Sequence, residues 1–151
     1  MPYLANKRML EYTSKLENLN ECLRKLYSIA KKYTTITSYK KANWMVKDAV
    51  ERNIQKSIEI IIDMGKMLIS DRKYKIPESN YEVFEVLVEE KELPIEYLDL
   101  IKKVIGTRNK IIHNYERVDD EIFFSIIKKH LKEMKLIADL IFSRVKGLKR
   151  T

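Results

Sequence analysis

Between Met9 and Tyr33, apolar side chains return at steps of three and four without a miss: Met9, Tyr12, Leu16, Leu19, Leu23, Leu26, Ala30 and Tyr33. That spacing winds onto one stripe of an α-helix, so the segment is predicted to be a long helix packed nearly parallel to a neighbour. Lys15, Glu17, Glu21, Lys25 and Lys32 fall on the opposite, solvent-facing side. The 151 residues include only three Gly and three Pro. So few breakers leave little material for tight turns, which favours a handful of long helices over many short strands. The fold class is therefore all-α, a bundle of four to five helices. The length suits one domain spanning residues 1–151 with one ordinary core.

The remaining segments extend this pattern. Thr34, Thr35, Ile36, Thr37 and Ser38 are poor helix formers that suit a turn and an N-cap. A second long helix is predicted from about residue 39 to about residue 70. Ile54, Ile58, Ile61, Gly65 and Leu68 lie on its buried side, and the apolar run around Ile60 to Ile62 implies cover from two directions. Residues 71–80 form a connection. Tyr81, Phe84, Leu87 and Val88 then mark a short, acidic third helix. Pro94 suits the first turn of a fourth, where its missing N–H costs nothing. Asp119, Asp120 and Glu121 place negative charge at the start of a fifth, which continues through Ile122, Ile126, Leu131, Met134, Ile137 and Ile141 to a basic tail at 144–150.

Charge and cysteine content narrow the function classes. The net charge is +8, and residues 1–75 carry all of the surplus while 76–151 balance. A basic half suits a polyanion such as RNA or an acidic protein partner, and equally a plain lysine-rich surface. Cys22 stands alone, so no internal disulfide forms, and a reduced, cytoplasmic setting is expected. No apolar run is long enough for a membrane span, and the N-terminus offers no secretory core. There is no Gly-rich phosphate loop, Cys pair, His-Glu-x-x-His or Glu-x-x-His motif, so no metal site and no cofactor are expected.

The most informative polar residues lie on the fourth helix. At about 100° per residue, Ile101, Val104, Ile105, Ile111 and Ile112 all fall within about 60° of Arg108. Arg108 thus sits at the centre of an apolar stripe. A guanidinium keeps its charge there and needs an anion or acceptors. Tyr115 shares this face if the helix continues, and Asn109 and His113 form an i, i+4 pair beside it. The cluster could grip a phosphate with Arg108 and move protons with His113. A structural reading stands beside this one: Arg108 paired with a carboxylate of the second helix, Glu59 or Asp63, and His113 merely hydrogen-bonded. His130, beside Lys128 and Lys129, is expected at the surface, and Cys22 in packing.

The segment Gly106-Thr107-Arg108-Asn109-Lys110-Ile111-Ile112-His113-Asn114-Tyr115-Glu116 resembles the Arg-x4-His-x-Tyr signature of HepT toxins in the HEPN superfamily. Upstream, Ala49 to Gln55 and Ser57 to Asp63 look like that family's second helix, and Pro77 to Phe84 like its loop and third helix. The resemblance implies an up-and-down antiparallel bundle that forms a homodimer, bringing two Arg-x4-His motifs into one cleft. It implies a metal-independent endoribonuclease acting on an RNA substrate, with Arg108 and His113 catalytic and Asn109 supporting. It further implies a cognate minimal nucleotidyltransferase antitoxin that transfers AMP to Tyr115. Asn114 departs from the acidic residue many relatives carry before the tyrosine. The alternative is a non-catalytic nucleotide- or RNA-binding subunit of a nucleotidyltransferase complex.

Overall fold

A computed structural model describes residues 3–4, 6–113, 119–146 and 149–150. Its first helix, α1 (Asn6–Lys32), buries Tyr12, Leu19, Leu23, Leu26 and Ala30, the stripe expected from the three-four spacing. Cys22 is buried beside Leu23, as packing. The short α2 (Ile36–Lys40) and the long α3 (Trp44–Arg72) follow. Then come α4 (Asn80–Glu89), a single 3-10 turn at Ile95–Tyr97 and α5 (Leu98–His113). The chain ends with α6 (Asp120–Lys129), α7 (Leu131–Lys146) and a two-residue parallel pairing of Tyr3–Leu4 with Lys149–Arg150.

The all-helical expectation holds, but two expected helices are each divided. The one predicted from residue 39 is two helices. Thr35 caps α2 through a reciprocal bond with Ser38, and the Asn43 side chain accepts the Val46 N–H to open α3. Each cap satisfies backbone donors that an uninterrupted helix would have paired internally. The last helix breaks at His130, which closes α6 with φ −118° before α7 begins at Leu131. His130 is correspondingly not a free surface residue; its side chain is 19 % exposed, with Nδ1 3.4 Å from Glu133 and Nε2 3.4 Å from Lys103. Pro94 stands just before the 3-10 turn rather than inside the first turn of α5.

Helix α3 is the axis of the bundle. It lies antiparallel to α1, as paired positions show: Tyr12 Oη donates to Asp71 at 2.6 Å, Arg8 Nε to the same carboxylate at 3.0 Å, and Lys15 Nζ to Asp63 at 2.9 Å. Burial and the Asp71 acceptor both push the Tyr12 phenol well above its ordinary range. On another side α3 meets α4 at Gly65, where an added Cβ would stand 2.8 Å from Val83 Cγ1. A glycine inside a helix costs about 1 kcal/mol relative to Ala; here it lets two backbones approach. Lys102 and Glu85, 3.6 Å apart, and the approach of Tyr81 Oη to Gly106 run α5 antiparallel to α4.

Two substitutions test this packing by denaturant unfolding. Gly65→Ala is expected to lose about 1 kcal/mol net, because overpacking against Val83 exceeds the gain in helix propensity. Lys91, which follows α4 at φ 61° with its N–H bonded to Val88 O, occupies a left-handed position. Lys91→Gly is expected to gain about 0.5–1 kcal/mol by removing that strain.

Candidate functional site

The apolar stripe of α5 is only half covered. Ile101, Val104 and Ile105 are fully buried, Ile111 is half-buried, and Ile112 is 41 % exposed. Arg108 stands at the transition, with a side-chain exposure of 21 %. The helix therefore carries its greasy face out past the edge of the bundle, and the guanidinium marks where core becomes surface.

Arg108 is held loosely. Its Nε lies 3.5 Å from Glu59 Oε1 of α3, an ion pair too long for a hydrogen bond. That Nε is shielded from solvent and has no hydrogen-bond acceptor among the described residues. Nη1 donates to Asn109 Oδ1 at 3.2 Å. Glu59 also accepts from Gln55 Nε2 at 3.2 Å and remains 37 % exposed. Of the two carboxylates the sequence offered, Glu59 faces Arg108, whereas Asp63 is taken by Lys15. A guanidinium has five N–H donors in a planar fork. Among the described residues most of that fork is unmatched, which leaves it suited to a phosphate or carboxylate approaching from outside.

The other expected residues divide. Asn109 is half-buried beside Arg108, and its carboxamide orients the fork. His113 is exposed on the last turn of α5, about 7.5 Å further along the axis and about 140° around it. Both lie on the last two turns of α5, on different sides of the helix. Asn114 and Tyr115 fall outside the described residues. Gln55 was not singled out from sequence; its place one turn before Glu59 was the available signal.

Function and stability should separate at Arg108. Glu59 is too exposed and too distant for the pair to contribute more than about 1 kcal/mol. Replacing a charge on an apolar stripe by an apolar chain of similar length is commonly neutral or favourable. Arg108→Met is therefore expected to unfold within about 1 kcal/mol of the parent, or above it. A loss of stability beyond about 3 kcal/mol would identify the pair as structural instead.

Comparison with known proteins identifies the family and the fold. A sequence model of the family described as Ribonuclease HepT-like matches residues 19–141. The mRNA nuclease HepT of Shewanella oneidensis is 23 % identical over 128 residues, 85 % of this chain and 93 % of that protein. Among solved structures, a tri-AMPylated HEPN toxin of Shewanella oneidensis in complex with an MNT antitoxin superposes with a TM-score of 0.78. It is 22 % identical, and the match covers 87 % of this chain and 96 % of that one. A cytosolic protein of unknown function from Bacillus subtilis aligns with a TM-score of 0.72 at 22 % identity, covering 89 % and 91 %. At such identities these structures establish the all-helical HEPN fold.

Proposed function

The chain belongs to the HepT-like ribonuclease family, and on that premise we propose that it is a metal-independent endoribonuclease, the toxin of a toxin–antitoxin pair. The observation that supports this most is the unmatched Arg108 fork at the uncovered end of α5, with His113 on the same helix end. The whole chain, residues 1–151, acts as one domain in this reading.

The chemistry needs no group beyond these side chains. The ribose 2′-oxygen attacks the adjacent phosphorus as an imidazole takes its proton. Arg108 hydrogen-bonds the equatorial oxygens as negative charge builds on the phosphorane. The P–O5′ bond breaks, an imidazolium protonates the departing oxygen, and a 2′,3′-cyclic phosphate remains. A single imidazole serves poorly as base and acid at once, so two copies of His113 are needed. A homodimer formed through the uncovered stripe around Ile111 and Ile112 supplies them. Exposed apolar side chains continuing a buried stripe are what such an interface requires.

Regulation follows from the family reading and the order of residues along the motif. A cognate nucleotidyltransferase antitoxin transferring AMP to Tyr115 would place a phosphate two residues beyond His113, where it competes with RNA for Arg108. The tri-AMPylated state of the Shewanella oneidensis HEPN toxin in its complex with an MNT antitoxin supports this mode of control. A second reading is a non-catalytic subunit presenting RNA or a nucleotide to the transferase, in which the exposed His113 transfers no proton.

Cleavage of cellular RNA by purified protein separates the two. His113→Ala is expected to lower cleavage by at least about 100-fold while RNA binding survives. Wild-type protein that binds RNA but yields no cyclic-phosphate ends would favour the binding subunit. Coexpression with the antitoxin should add an adenylyl group, detected by intact mass spectrometry and absent in Tyr115→Phe. An adduct that persists in Tyr115→Phe would place the modification elsewhere.

A further inference from the structure

The outward face of α3 carries a second feature that the Arg108 site does not use. Glu59 and Lys66 are seven residues apart, hence on one face and about 10 Å apart along the axis. One turn further stands Ser70, and Lys73 closes the helix in a left-handed conformation at φ 59°. Lys66, Ser70 and Lys73 are exposed and border a cavity of about 550 Å³, where the chain after α3 folds back with Tyr74, Ile76 and Pro77. A cavity of this size suits a nucleotide-sized ligand.

The local charges are unevenly satisfied. Asp63 is paired with Lys15, Asp71 with Arg8 and Tyr12, and Glu92 with Arg72. Glu82 is held by Lys75 and by the Glu78 N–H. No carboxylate lines the cavity itself, although Glu90 lies near Tyr74 and Glu78 follows Pro77, and neither Lys66 nor Lys73 forms an ion pair with a described residue. Two free cations and a hydroxyl lie beside an aromatic ring, a proline and Ile76, which is 83 % exposed. Phosphate-binding groups next to stacking surfaces are the pattern of single-stranded nucleic-acid binding.

We propose that this cavity is a nucleotide subsite of the RNA path, in which Lys66 and Lys73 hold backbone phosphates and a base rests against Tyr74, Ile76 and Pro77. The path runs along the outward face of α3 from Arg108, so the subsite engages RNA a few nucleotides from the scissile bond. It rests on the ribonuclease reading, because that reading supplies the strand. Its effect falls on affinity for longer RNA, and the bond-breaking step is unaffected.

Binding of an uncleavable 2′-O-methyl strand of about 12 nucleotides, followed by fluorescence anisotropy across a salt series, tests the subsite directly. Lys66→Ala with Lys73→Ala is expected to weaken binding about tenfold and to flatten the log–log salt slope by about 1.4, the loss of two phosphate contacts. Lys25→Ala with Lys132→Ala, which removes the same net charge from exposed positions elsewhere, should change both far less. For cleavable RNA, the Lys66/Lys73 variant should raise KM for the long strand and leave kcat for a dinucleotide unchanged.

Equal losses in both double variants would overturn the proposal, since net charge alone would then account for binding. So would an unchanged salt slope in the Lys66/Lys73 variant, or preferential binding of an acidic peptide at the cavity. The ribonuclease reading fails separately. A wild-type protein that never cleaves, yet binds the strand through Lys66 and Lys73, keeps the subsite and loses the nuclease.

Discussion

A guanidinium that cannot give up its proton lies between α3 and α5, where the core ends, and the rest of the site depends on how that charge is met. Glu59 meets it at 3.5 Å, close enough to offset burial and too far to occupy the fork. A tight bidentate pair would have closed the site, and no carboxylate at all would have made the charge expensive to keep among Ile105, Ile111 and Val104. The intermediate arrangement leaves donors free at modest energetic cost. Gln55 and Asn109 hold the pair in place from either side, one on the carboxylate and one on the fork.

The bundle explains why this happens at one end of α5. Gly65 draws α4 against α3, and α5 then lies along α4 with Tyr81 and Glu85 fixing its position. Cover from the other helices thins after Thr107, and the last turn of α5 carries the stripe into the open at Ile112. An apolar surface with a charge at its inner edge is poor for a solitary monomer. In the proposed homodimer it would line a cleft between two copies, where excluded water strengthens Coulombic attraction for a phosphate.

Much of this was legible in the residue order. The α1 stripe and the core side of α3 were visible because a period of 3.6 survives over many turns. The breaks were not. The cap at Thr35 falls in the run read as a turn and N-cap, but Lys40-Lys41-Ala42 contains no Gly or Pro and the cap at Asn43 is a common side chain. At His130 the apolar pattern passes through the break, with Ile126 and Ile127 before it and Leu131 and Met134 after. Glu59 and Asp63 could not be ranked from spacing, since they lie about 40° apart on one face; Lys15 of α1 takes Asp63, and that depends on which helices flank α3. The Lys66–Lys73 cavity depends on the loop folding back after Arg72, which no local pattern announces.

The most direct test of the account is the nitrogen resonance of Arg108 Nε, followed by NMR as an uncleavable 2′-O-methyl dinucleotide is added. An open fork predicts that this resonance shifts saturably, with the same dissociation constant as binding, while Arg8 Nε in its clasp with Asp71 stays in place. RNA binding that leaves Arg108 Nε unmoved would contradict it, because the guanidinium would then belong to Glu59 and the phosphate would be held elsewhere.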